Sequence, residues 1–278
     1  MNFALNAVRN PNPIFKPKSA PALPFIGRLM KSSAGAYSLH GFDLVVALAR
    51  REDTIKRRPS DNSVRVLECL TQAALYHYDL VADRVFTSAH NIAVRCGLGT
   101  EKNNKMSIGR VRRHLALMER LGLISRFPTL YRDDLGCYET VAFTFTDRFW
   151  RMIADVEPER VESERRARYA YENQQREKKQ LPRLSLADLA MQKIKSWRDH
   201  FTTLHTRRKR AGELRHQRAQ DQERTRAEVR RLVYAAIMDK IRRGILSFDT
   251  HHAMKSEIER LTNQRMTTRK LSTRLAVT

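Results

Sequence analysis

Acidic residues are what this sequence lacks most. Its 278 residues hold 30 Asp and Glu against 53 Lys and Arg, a formal net charge of +23. An excess of that size repels itself in a compact chain unless an anionic partner absorbs it, and nucleic acid is the partner expected. Long apolar runs are also missing. None approaches the roughly 18 residues that a spanning helix needs, so no membrane partner is expected. Met1 to Arg9 offers no basic head, apolar core and cleavage site of a signal peptide, and a cytoplasmic protein is expected. Cysteine is scarce. Cys69, Cys96 and Cys137 are odd in number and stand 27 and 41 residues apart, which suits neither a disulfide framework nor paired zinc knuckles. They read as small buried or half-buried side chains.

Catalytic signatures are missing too. No G-x-x-x-x-G-K-S/T occurs, and CGLGTEKNNK (96–105) has glycines and lysines in the wrong order to cradle a nucleotide phosphate. There is no H-x-H or H-E-x-x-H, and His251 and His252 are adjacent, so a helix would point them apart. Tyr76, His77 and Tyr78 could suggest a nicking tyrosine, but without a metal-binding histidine pair their expected role is packing and capping at a helix end. No cofactor, no metal and no enzymatic activity are therefore expected.

At this length the chain can bury two modest cores, or one core and an appendage, without disulfides. Five prolines between residues 11 and 24 fix φ and remove donors, so residues 1–40 read as a Pro-rich arm that can still pack. Next comes a helix near Phe42 to Arg51, with a break at Pro59. Val64, Leu67, Leu70, Ala74 and Tyr78 then recur at helical spacing, and Asp61 to Ser63 offer N-caps. DLVADRVFT (79–87) reads as a short strand. A short helix from Thr87 or Ser88 buries Ile92, Ala93 and Cys96 and stops at Gly97 and Gly99. A further helix starts at a Ser107 cap and ends near Gly122. After it, LISRF and CYETVAFTF flank a polar tip with Asp133, Asp134 and Gly136, the pattern of a β-hairpin. Helix, short strand, helix, turn, helix and hairpin is the order of a winged helix-turn-helix, assigned to residues 41–157.

Residues 158–278 are different in kind. From Glu159 onward 30 Lys and Arg face 15 Asp and Glu. Strand signals are nearly absent, and helices are expected over about 159–180, 184–205, 211–243 and 250–265, with Pro182 and Gly244 as breaks. Val229, Leu232, Val233, Ala236, Ile237 and Ile241 form one apolar stripe; Met254, Ile258 and Leu261 form a shorter one. The fold class expected is mainly α with a small β-hairpin: a winged helix followed by a basic helical region that is a candidate second DNA-binding domain.

The segment SIGRVRRHLALMERLGLI (107–124) carries the sharpest functional signal. At 3.6 residues per turn, Ile108, Val111, Leu115, Met118 and Gly122 share a core face with Leu121 on its flank. The opposite face carries Gly109, Arg113, Ala116 and Arg120, bordered by Arg112 and Arg110. Gly109 and Ala116 let a backbone come close, and Arg113 between them can fork onto guanine O6 and N7. Arg112 and Arg120 suit phosphates. A surface helix can carry arginines simply for solvation. Against that bland reading, Glu119 is the sole acidic partner within the helix. TEKNNK (100–105), with Lys102 and Lys105, extends the surface toward the helix N-terminus, where backbone donors favour phosphate. Arg126 and Arg132 stand where a wing would touch flanking DNA. A second cluster, Arg207, Arg208, Lys209 and Arg210, reads equally as a solvated helix or as sequence-independent DNA contact.

Several stretches also resemble a known family. VRNPNPIF (8–15), YHYDLVADRV (76–85), IAVRCGL (92–98), KMSIGRVRRHLALMERLGLI (105–124), GCY (136–138) and YENQQREKKQ (171–180) are similar, in order and over almost the whole chain, to the RepA replication initiators of IncFII-like low-copy bacterial plasmids. The resemblance implies plasmid replication initiation and copy control. It implies a protein, associated with its plasmid or the nucleoid, that binds double-stranded plasmid origin DNA, helps open an AT-rich segment, and recruits the host initiator DnaA and the replicative helicase. A homodimer on DNA is a candidate form. It supplies no catalytic residues. A winged-helix transcriptional regulator is the alternative reading, and a rolling-circle nicking enzyme a third.

Overall fold

A computed structural model describes residues 10, 12–102, 105–128, 131–133, 137–138, 142–222 and 224–274. The chain is mainly helical with small two-stranded antiparallel sheets, and it divides into two compact units, Met1–Asp199 and His200–Thr278.

The described residues of the first unit begin with an extended stretch before Pro24, as the prolines predict, although the arm expected over 1–40 turns helical at 24–32 and 36–38. The extended stretch is a packed strap: Phe15 is buried against the Tyr76 ring, with centroids 5.4 Å apart. Proline then serves a helix. Pro24 opens α1 (Pro24–Ser32), where a missing N–H costs nothing. After a 3-10 turn at Ala36–Ser38 come α2 (His40–Arg51) and α3 (Asp61–Tyr76). The N-cap of α3 is Ser60, one residue before the caps expected from the sequence, and its side chain makes no capping bond. The run expected as one strand is a two-residue ladder, β1 (Tyr78–Asp79) on β2 (Arg84–Val85), because Leu80 to Asp83 turn back between them. Asp83 takes the left-handed region at φ 50° and accepts hydrogen bonds from the Tyr78 and Thr144 hydroxyls.

α4 (Ala89–Arg95) is capped by Ser88, whose Oγ accepts from Asn91 N at 3.0 Å. It buries Ile92 and Ala93 and ends at Gly97. There Leu98 N donates to Ala93 O and Gly97 N to Val94 O, the Schellman pattern that demands a positive φ, here 61°. The segment after it forms a hairpin, β3 (Thr100–Lys102) on β4 (Lys105–Ser107), where the sequence suggested only a turn. Ser107 therefore closes a strand, and α5 (Gly109–Arg120) starts from Ile108 with no side-chain cap. α5 ends in a second Schellman turn at Gly122, φ 69°. β5 (Ile124–Arg126) then pairs with β8 (Phe143–Phe145) in the register Ile124↔Phe145, and β6 (Tyr131–Arg132) with β7 (Cys137–Tyr138). Asp134 and Gly136 of the expected tip lie outside the described residues. α6 (Asp147–Met152) follows, capped by Thr146.

Phe145, Phe149, Trp150 and Tyr78 form the aromatic centre of this core, with Phe145 and Phe149 stacked at 4.0 Å between centroids. Cys69 and Cys96 are buried, and the Cys96 thiol donates to Cys69 O. That neighbouring thiol and then burial hold Cys69 well above the ordinary thiol range.

The basic region does not separate where its composition changes. α7 (Pro158–Lys178) and the start of α8 (Leu186–Gln222) belong to the first unit. Val161 joins the core, Arg165 donates to Val81 O, and Lys193 bridges Asp79 and Glu172 at 2.9 and 2.8 Å. Asn173, only 2 % exposed, closes the α7–α8 turn by exchanging hydrogen bonds with the Leu184 backbone. α8 runs for 37 residues straight across 206–210, where the expected helices 184–205 and 211–243 left a gap, and it passes through Gly212 as well. One glycine costs a helix about 1 kcal/mol, which the surrounding Arg, Lys, Glu and Gln residues outweigh. The break comes instead at Thr225, which forms a capping box with Glu228 at the start of α9 (Arg226–Arg242).

The second unit has its own small core. Val229, Val233 and Ile237 of α9 meet Ile258 of α10 (His251–Arg274). Among the described residues no helix is long and apolar enough to cross a membrane, and no group of His, Cys, Asp and Glu could hold a metal ion.

One pH effect follows from the first unit. His77 ends α3 with its ring half-buried beside Arg95; burial first and that charge second lower its pKa to about 4. Its Nε2 lies 3.3 Å from the Asn91 amide nitrogen, a donor, as suits a neutral ring. The unfolded chain takes up a proton near pH 6.5 while the folded one does not. Stability is therefore full above about pH 6.5 and falls as the pH drops toward 4. Thermal melting between pH 7 and pH 4 should show this decline, and His77→Gln should flatten it.

Candidate nucleic-acid interface

α5 presents the two faces its spacing predicts. Val111 and Met118 are fully buried and Leu115 nearly so, while Gly109, Arg112, Arg113 and Arg120 are exposed and Ala116 is half-buried. None of Arg112, Arg113 and Arg120 has a salt-bridge partner among the described residues. The helix is anchored twice at its C-terminal end. Thr54 Oγ1 donates to Arg120 O at 2.6 Å, and Arg148 Nη1 donates to Leu121 O at 3.1 Å. A Cβ at Gly122 would stand 2.6 Å from that guanidinium, a second reason for glycine there.

Arg110 behaves differently from its neighbours. It is half-buried, and its Nη1 donates to Asn10 O at 2.9 Å. Asn10 in turn donates from Nδ2 to Gly97 O at 3.0 Å. The strap also holds Arg65 through Asn12 (2.8 Å) and exchanges hydrogen bonds with Arg95 at Lys16. It thus ties α3, the end of α4 and the start of α5 together. Burial, and then the Arg113 charge, lower the Arg110 pKa. Arg110 holds the turn in place, so it leaves the exposed basic surface to Arg112, Arg113 and Arg120.

Arg113 borders a notch of about 370 Å³ lined also by Asn62, Ser63, Thr100, Ser107 and His114. The N-terminal turns of α3 and α5 both open here. Asn62 and Ser63 read as caps in the sequence, and only the crossing of α3 and α5 reveals them beside Arg113; no local pattern carries that signal. His114 donates from Nδ1 to Arg110 O at 2.8 Å, and burial is the main cause lowering its pKa.

The remaining candidates are dispersed. Lys102 and Lys105 face each other across the β3–β4 pair, and their side chains lie outside the described residues. Arg126 in β5 forms an ion pair with Glu119 of α5, so the helix's one carboxylate joins it to the hairpin. Arg132 in β6 is half-buried. Arg207, Arg208, Lys209 and Arg210 are exposed on α8 in the second unit.

A "Replication initiation protein" of Escherichia coli is 34 % identical over 261 residues, covering 93 % of this chain and 90 % of that protein. No solved structure matches the chain. The model of the IncFII RepA protein family matches residues 4–272, and the chain belongs to that family.

Proposed function

We propose that this protein initiates plasmid replication by binding its origin DNA sequence-specifically, without enzymatic activity of its own. The observation that carries the proposal is the solvent-facing Gly109–Arg113–Ala116–Arg120 side of α5, whose opposite side is buried and which is held at its start through Arg110 and at its end through Arg120 and Leu121. In this reading α3, α4 and α5, with β2, β5 and β8, form a winged helix-turn-helix, and α5 enters the major groove. Arg113 reads a base edge, and Arg112 and Arg120 contact phosphates. The notch at the α3 and α5 N-termini takes a phosphate of the same strand, since helix N-termini offer free donors and a favourable dipole. The β5–β8 hairpin is the wing. Family membership extends the proposal to origin opening and to recruitment of the host initiator DnaA and the replicative helicase, with a homodimer as a candidate form on DNA.

The deciding experiment is footprinting of the full chain on the plasmid segment beside its own gene. Protection of a discrete site there, and loss of plasmid replication when the gene is deleted, are expected. A footprint confined to one promoter palindrome, with replication intact after deletion, would show a transcriptional regulator instead. A nick with a covalent tyrosyl adduct on supercoiled origin DNA would show a nicking enzyme.

A further inference from the structure

We propose that the solvent face of α9 is a separate binding surface for single-stranded nucleic acid, formed by Arg231, Tyr234 and Arg242.

The argument starts from how the second unit disposes of its charge. From His200 to Thr278 the sequence has 19 Lys and Arg against 8 Asp and Glu. The acidic residues are mostly engaged inside the unit. Asp221 holds Arg265 and Arg224, Glu259 holds Arg226 and Arg230, and Asp239 holds Arg243. Those arginines serve the fold.

Arg231 and Arg242 are the contrast. Both are exposed, and neither has a salt-bridge partner among the described residues. Val229, Val233 and Ile237 mark the buried side of α9, and at 100° per residue Arg231, Ala235 and Arg242 fall opposite them. Their Cα atoms stand about 16 Å apart along the axis. Tyr234 lies between them along the axis, to one side of their line, with 47 % of its surface exposed and with Arg230 and Arg231 as its neighbours one turn back.

Exposed arginines outside any salt bridge attract an anion, although the Arg231 charge also acts on the Glu228 carboxyl, and an exposed ring beside them calls for a flat apolar partner. A nucleic-acid strand supplies both. A duplex stacks its base faces on one another and shows only their edges, so the Tyr234 ring would find no base face to cover. A single strand offers its faces freely, and aromatic stacking between cations that track the backbone is how such strands are held without sequence preference. The surface lies on α9 and does not depend on α5 reading duplex DNA.

The test measures binding of the full chain to oligo(dT), which cannot pair with itself, and to a random duplex. Tyr234→Ala should weaken oligo(dT) binding roughly 5- to 100-fold, the range of one aromatic–base stack, while Tyr234→Phe retains it. Arg231→Ala and Arg242→Ala should each lower the salt slope on oligo(dT) by about 0.7. Tyr234→Trp should give a fluorophore that oligo(dT) quenches beyond the signal of the native tryptophans. Arg113→Ala should leave oligo(dT) binding unchanged, which separates this surface from α5. Unaltered oligo(dT) affinity in Tyr234→Ala, or equal losses on oligo(dT) and duplex, would overturn the proposal. All four positions tested on α9 and α5 are exposed, so an unchanged thermal transition is expected in each variant.

Discussion

Arg113→Ala should cost roughly 1–3 kcal/mol of binding to the specific origin site, a loss of about 5- to 150-fold, and should relax base preference at one position. The size follows from what the residue can do where it stands. Arg113 is exposed, has no salt-bridge partner among the described residues, and sits between the small Gly109 and half-buried Ala116, so a duplex can approach its guanidinium closely. A bidentate fork onto a base edge is worth that much discrimination, whereas a phosphate contact is worth the same on any sequence. Arg120→Ala is the internal control. It should weaken specific and random duplex about equally and lower the salt slope by about 0.9. Titrations of both variants on both duplexes at several salt concentrations separate the two roles. Equal losses on specific and random DNA for both variants would remove Arg113 as a base reader.

Arg110 shows why one basic helix should not be treated as one basic patch. By spacing it borders the exposed face, yet its guanidinium bonds the strap backbone at Asn10. The sequence cannot show this, since Asn10 and Arg110 are 100 residues apart and meet only after α3, α4 and α5 have packed. The helical period of α5, the Ser88 cap of α4 and the glycine turns at Gly97 and Gly122 were all legible, because each depends on residues within one or two turns. What was not legible depended on long-range contact or on competition between weak local signals. The β3–β4 ladder, the continuity of α8 across 206–210 and the packing of Lys193 onto Asp79 are of this kind.

The stretches that carry the family resemblance turn out to hold the fold as much as the candidate interface. VRNPNPIF supplies Asn10, Asn12 and Phe15 of the strap. YHYDLVADRV supplies the His77 helix end and the Tyr78–Asp83 bond. YENQQREKKQ supplies Asn173, which closes the α7–α8 turn. The site on α5 is thus legible as a face, but its orientation is set by residues whose pattern speaks of family rather than of chemistry.

The largest stability effect is expected at Asp221. Its side chain is 3 % exposed, and both oxygens accept from Arg265, Nε to Oδ2 and Nη2 to Oδ1, each at 2.7 Å. The pair joins the end of α8 to α10 across 44 residues. Asp221→Asn keeps the shape and removes the charge that accepts both Arg265 bonds in a largely buried place. Breaking such a pair from one side costs about 3–5 kcal/mol. The lower end is expected, because Arg265 retains 20 % of its side-chain exposure and can recover some hydration. The small apolar core of the second unit, Val229, Val233, Ile237 and Ile258, has little reserve to absorb that loss. Denaturant unfolding followed by hydrogen exchange at α9 and α10 amides should show the second unit opening first in Asp221→Asn, with α3 and α5 amides unaffected. Replacing the two most buried members, Asp221→Leu with Arg265→Met, should restore most of the stability, since it removes their desolvated charges together, while Arg224, the other partner of Asp221, has a side chain 33 % exposed to water. A double variant as unstable as Asp221→Asn would show that the hydrogen-bond geometry, and not the uncompensated charge, is what the unit requires.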